Sequence, residues 1–189
     1  MTRPASLPFT GDAEADALLA ADPLALLVGF ALDQQVTVQK AFAGPLELRR
    51  RVGTLDPAAI AAMDPEALDA AFRVRPALHR FPGAMATRVR ALCAVVAGEY
   101  GGDASRAWSE ARDGADLEAR LRALPGIGDM KSRTLVGLLA KRFGVRPPGW
   151  EAVAPSYPTL ADVDSAEALA RYQEQKRAWK ASRRAAEGA

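Results

Sequence analysis

The sequence predicts an all-α protein, and three observations carry that expectation. Leucines and alanines recur at helical spacing rather than in alternation, and aromatic residues make up only 6% of the 189 residues. Asp22-Pro23, Asp56-Pro57 and Asp64-Pro65 each precede a helical pattern, as an aspartate cap followed by proline at the first helical position does. The length suits one domain, or two interdigitated lobes, with a sizeable core.

Taken in order, residues 1–11 are expected as an extended arm and residues 12–21 as a short helix. Residues 24–32 are apolar on nearly every side, which predicts a central helix buried all round. It runs into Asp33-Gln34-Gln35, a charge and two amides that are costly there unless they surface at a functional mouth or cap a neighbour. A helix over 38–51 is expected to bend or split at Pro45, and Arg49-Arg50-Arg51 read as its solvated end rather than as a phosphate contact. Short helices follow at 57–63 and 65–72, then a loop at 73–83. His79, in that loop, is the only histidine, so no multi-histidine metal site is expected and the residue reads as a surface or capping group. A long helix over 84–100 has Met85, Val89, Leu92 and Val96 as its inner face and ends at Gly101-Gly102. A helix at 104–111 buries Trp108, and Asp113-Gly114 breaks the chain after it.

The next stretch, Leu124-Pro125-Gly126-Ile127-Gly128-Asp129-Met130-Lys131, lies between two apolar helical faces, Leu117, Leu121 and Leu124 before it and Leu135, Leu138, Leu139 and Phe143 after it. The spacing predicts a helix, a glycine hairpin and a helix, with Ile127 as a plug between them. Glycines leave backbone N–H groups uncovered just before a helix N-terminus, where an anion is favoured, so Gly126 and Gly128 form a phosphate-type turn. The stretch Ala154-Pro155-Ser156-Tyr157-Pro158 cannot be helical throughout, and Asp164 or Ser165 then caps a last helix to about residue 186, bearing Leu169, Tyr172, Lys176 and Trp179.

Net charge is only +2, but it is polarised: residues 70–98 hold five arginines and no acid, and residues 130–150 hold Lys131, Arg133, Lys141, Arg142 and Arg146 and no acid. Such segregation suits a polyanion on one face. Cys93 is the only cysteine, which excludes an intrachain disulfide. No apolar run approaches 18 residues and the start lacks a signal-peptide pattern, so a soluble cytoplasmic protein is expected, nucleoid-associated if bacterial and monomeric, with no membrane partner.

The hairpin residues resemble the helix-hairpin-helix of the HhH-GPD superfamily of base-excision DNA glycosylases, which includes endonuclease III and alkyl-base glycosylases. That resemblance implies a two-lobed helical fold: a helical barrel over 22–143 containing the helix-hairpin-helix at about 116–143, and a second lobe made by 1–21 with 144–189. One cysteine leaves no iron-sulfur cluster, and no cofactor or metal is expected. Double-stranded DNA is the implied partner. In the family a catalytic aspartate follows the second hairpin helix after a Gly/Pro-rich loop; here Gly144 to Trp150 lead to a glutamate, Glu151.

By that resemblance Gln35, with Gln34 second, stands where a glutamine fills the gap left by an extruded nucleotide; otherwise the two amides are polar residues at a helix end. Arg80 and Phe81 lie where a second strand-contacting loop occurs. Glu151 is the expected catalytic carboxylate, stabilising the positive charge that builds on the sugar as the base departs, or else a loop glutamate. Trp150 either stacks on the extruded base or packs between lobes. Bifunctional members carry a lysine where this chain has Met130. Lys131 comes one residue later, a helical step of about 100°, so no lyase activity is expected and Lys131 and Arg133 are assigned to phosphate contacts. The resulting expectation is a monofunctional DNA glycosylase that flips and releases a damaged or mismatched base; a non-catalytic, structure-specific DNA binder of the same fold is the alternative.

Overall fold

A computed structural model describes residues 3–187, and its described residues are helical, without strands. The helices are α1 (Ala13–Ala21), α2 (Pro23–Leu32), α3 (Val38–Val52), α4 (Pro57–Ala62), α5 (Pro65–Arg73), α6 (Pro82–Glu99), α7 (Arg106–Ser109), α8 (Gly114–Ala123), α9 (Asp129–Arg142), α10 (Trp150–Val153) and α11 (Ala166–Glu187), with a 3₁₀ turn at Leu160–Asp162. Local chemistry starts most of them. The carboxylates of Asp12, Asp22, Asp56, Asp64 and Asp113 accept first-turn N–H groups of α1, α2, α4, α5 and α8, and Thr37 does the same for α3.

The core is organised on α2, whose residues Leu24 to Leu32 are all buried. It packs tightly against α3. A side chain at Gly29 would meet the Phe42 ring at 2.6 Å, and one at Gly44 would meet Leu32 at 2.5 Å, so glycine on each helix permits the approach. Phe42 stands edge-on to both Phe9 and Phe30, with ring centroids 5.1 Å apart in each pair. This packing explains why α3 runs unbroken through Pro45, which was expected to bend or split it: Pro45 and its neighbours Gly44 and Leu46 are buried against the core. Cys93, on the buried face of α6, has its thiol pushed up to about 12, first by burial and then by the charge of Asp56.

The amino-terminal arm is docked rather than simply extended. Leu7 and Phe9 are fully buried, and the buried Asp16 carboxylate accepts from the Phe9 N–H (3.1 Å), the Thr10 N–H (2.9 Å) and the Thr10 hydroxyl (2.7 Å). The arginine triplet is likewise engaged. Arg49 and Arg50 both pair with Glu14, and Arg51 donates to the carbonyls of Ala71, Val74 and Pro76 while pairing with Glu47, which fastens the 74–81 loop to α3. Neither α10 nor the 3₁₀ turn was expected. The turn is set by a capping box in which the Asp162 carboxylate accepts the Thr159 N–H and the Thr159 hydroxyl accepts the Ala161 N–H. The side chain of Trp179 in α11 lies outside the described residues.

Truncating Asp16 strands one buried and one part-buried backbone donor, those of Phe9 and Thr10, and frees the arm. Asp16→Ala is expected to lower stability by about 2 kcal/mol, read as a reduced urea midpoint with an unchanged slope.

Candidate nucleic-acid interface

The turn between α8 and α9 has the expected form. Ile127 is 3% exposed, plugging the hairpin, and its N–H bonds the Leu124 carbonyl at 3.0 Å. Gly126 adopts φ +90°, and a side chain there would lie 2.7 Å from the Arg88 stem and 3.0 Å from Ala31, so this glycine faces the end of α2 and the flank of α6. Gly128 is exposed, meets nothing within 4 Å on its open face, and starts α9 without any capping side chain. The first N–H groups of this 14-residue helix therefore remain open to an anion.

Next to the turn lies the 33–37 loop. Asp33 sits in an inverse γ-turn, with the Gln34 N–H on the Leu32 carbonyl at 2.7 Å, and Gln35 follows at φ 55°, the one non-glycine residue with positive φ among the described residues. Gln35 is exposed. His79 ties this loop to the 74–81 loop. It is buried, where a surface or capping group was expected: Nε2 donates to the Gln34 carbonyl at 2.8 Å and Nδ1 accepts, at 3.0 Å, the N–H of Phe81, the residue that leads into α6. A carbonyl can only accept and a backbone N–H only donate, so the ring is the neutral Nε2–H tautomer. Arg80 and Phe81 project from the loop, Phe81 41% exposed with the Arg80 guanidinium 5.4 Å from its ring centre.

Lys131 requires a correction. It does not reach outward to phosphates but is half-buried, its amine donating to the Gly126 carbonyl at 3.0 Å and to the Ala31 carbonyl at 3.4 Å. Desolvation lowers its pKa to about 8; Asp33 opposes the shift, while the charges of Arg88 and Lys176 add to it. Met130, two residues after Gly128, is 67% exposed instead. The relevant sequence signal was the spacing of Lys131 from Leu135 and Leu138, i+4 and i+7 on the buried face of α9, rather than its offset from Met130. Arg133 is also redirected, pairing with Glu118 of α8 at 3.1 Å.

Glu151 and Trp150 fall elsewhere. The backbone of Gly149 and Trp150 packs on Gly114, where an added side chain would come within 2.7 Å of both residues. Gly114 opens α8, and the hairpin turn closes its other end. At 1.5 Å per residue the 10-residue helix separates the two places by about 15 Å. Glu151 is exposed in α10 at that remote end, and Trp150 is half-buried against the core. Neither lines either of two surface cavities, of about 380 and 230 Å³, and Trp150 takes the packing position that was one of its two expected roles. Among the described residues no group of three or more His, Cys, Asp or Glu is placed to share a metal ion.

The structure thus gathers Gln34, Gln35, Arg80, Gly126, Gly128 and Lys131 around the α8–α9 turn, pairs the neighbouring Arg133 with Glu118, and leaves Glu151 and Trp150 outside that cluster. Asp33, Arg88, His79 and Lys176 belong to it as well. Their roles depend on partners far along the chain, which short-range spacing does not reveal.

Two expectations follow from this geometry. Gly126→Ala is expected to cost about 2 kcal/mol or more in a urea titration, through its positive φ and its clash with Ala31, whereas Gly128→Ala leaves the midpoint nearly unchanged. Because the folded pKa of Lys131, about 8, lies below its ordinary 10.5, its cost to stability is complete below about pH 8 and fades as pH rises toward 10.5. Lys131→Met is therefore expected to raise the thermal midpoint at pH 7, with the gain shrinking by pH 10. Compared with protein-family models, curated proteins and solved structures, the chain matches none.

Proposed function

We propose that the protein binds duplex DNA through the α8–α9 hairpin, opens it with Gln35 and acts on the extruded nucleotide as a base-excision glycosylase. The observation that carries this is the meeting, at one end of the molecule, of the uncapped Gly128 turn, the Gln35 loop and the Arg80-Phe81 loop around one half-buried amine. The bond from base to sugar is inaccessible in a stacked duplex, so such an enzyme must hold the backbone and fill the vacated space. Open amides at a helix start do the first. A side chain held in a sparsely populated backbone conformation, on a loop pinned by His79, suits the second.

The chemistry shifts from Glu151, exposed at the far end of α8, to Lys131. With a pKa of about 8 its amine is about one quarter neutral at pH 7.5, against about one in a thousand for an ordinary lysine. The neutral nitrogen bonds to the sugar C1′ as the C1′–base bond breaks. The electron pair leaves with the base, which takes a proton from solvent. Loss of an amine proton and opening of the sugar ring then give an imine, which water returns to free amine and an aldehydic abasic sugar.

Borohydride present during incubation with duplexes carrying uracil, an alkylated purine, an oxidised base or an abasic site is expected to trap a covalent complex on denaturing gels. Lys131→Met should lose it and Glu151→Gln should keep it. Base release that survives Lys131→Met but not Glu151→Gln would return the chemistry to the carboxylate. Salt-dependent duplex binding with neither trapping nor base release selects the second reading, a DNA binder without chemistry, which the remote position of Glu151 favours.

A further inference from the structure

The 33–37 and 74–81 loops are both carried by α3, but they are held very differently. The 74–81 loop is bound along its length. The Lys40 amine donates to the Ala77 carbonyl at 2.6 Å, Arg51 holds the Val74 and Pro76 carbonyls, and the Leu78 N–H reaches the Phe72 carbonyl at 3.0 Å. The 33–37 loop enters α3 at the Thr37 cap, and before that cap little is fixed. Gln35 and Val36 make no hydrogen bond among the described residues. The one hydrogen bond that reaches residues 34–36 from beyond α2 and α3 is the 2.8 Å bond from His79 Nε2 to the Gln34 carbonyl.

That carbonyl belongs to the same planar peptide group as the Gln35 nitrogen. Holding it fixes the plane from which the φ of Gln35 is measured. The value held, 55°, is one that a residue with a side chain seldom adopts unaided, so the conformation depends on its anchor. His79 is itself 1% exposed, and its other nitrogen is taken by the Phe81 N–H. A buried ring with both nitrogens engaged cannot turn to serve one loop without abandoning the other.

We propose that His79 is a positioning residue that couples the two loops, so that Gln35 is presented to the duplex only while residues 79–81 are seated. The coupling rests on the duplex-opening role given to Gln35 above. A histidine that merely filled the core could be satisfied within its own loop; here one bond spans 45 positions and ends on the peptide before the residue with positive φ.

The two bonds can be removed one at a time. A glutamine amide nitrogen can stand where Nε2 does, and an asparagine amide oxygen where Nδ1 does. His79→Gln therefore keeps the link between the loops, whereas His79→Asn keeps only the bond to Phe81. Each strands one partner, so both lower the thermal midpoint, and the contrast between them carries the test.

The full chain is mixed, well below those midpoints, with a duplex holding 2-aminopurine at its centre, whose fluorescence rises when the base unstacks. Anisotropy over a series of salt concentrations reads binding. His79→Asn is expected to keep the wild-type salt slope and to lose the fluorescence rise down to the level of Gln35→Ala, with no further loss when the two are combined. His79→Gln should retain most of the rise. Equal rises in the two histidine variants, or a larger loss in His79→Gln, overturn the coupling, as does a loss of binding that parallels the loss of unstacking. In those cases the wild type still unstacks the base and the role of Gln35 stands. A rise that survives Gln35→Ala, or a wild type that fails to unstack the base or to bind, overturns that role and the coupling with it.

Discussion

The Lys131 amine, held between the carbonyls of Ala31 and Gly126, joins the last turn of the buried helix α2 to the hairpin. Much of this end of the molecule depends on that seam. Gly126 must lack a side chain for the turn to come down on Ala31, and Ile127 must fill the space between α8 and α9. The loop leaving α2 then emerges beside the turn, and His79 binds the next loop to it. Placing an ammonium in this seam is unfavourable, as its lowered pKa records. Hydrogen bonds to two carbonyls and the nearby Asp33 offset only part of the desolvation.

Much of the architecture was legible in the sequence because it is local. An aspartate followed by proline carries its own cap and its own φ, so α2, α4 and α5 begin where expected. The run Leu24 to Leu32 is apolar on every side, and a helix of that kind has nowhere to go but the interior. The Pro-Gly-Ile-Gly turn likewise contains its own geometry. Side-chain destinations proved harder wherever a distant partner decides them. Nothing in the residues around Asp16 marks it for the interior, and only the returning arm, with its Phe9 and Thr10 amides, gives it a buried role.

His79 shows the same limit. Its two ring nitrogens are satisfied by residues 45 positions and two positions away, and the longer of these links cannot be read from spacing. The position of Glu151 was hidden for a related reason. Counting residues past Gly144 locates an acid along the chain, but the direction in which that segment turns is set by Gly149 and Trp150 packing on Gly114. The face of Lys131, by contrast, was available from the helical period once the apolar residues of α9, rather than Met130, served as the reference.

Cys93 has a consequence of a different kind. It is the only thiol in the chain, it is sealed inside α6, and its proton is held so firmly that the reactive anion is scarce at neutral pH. An alkylating reagent can reach it only when the surrounding helices part. Labelling speed thus becomes an intrinsic gauge of how often this region of the molecule breathes, requiring no introduced dye.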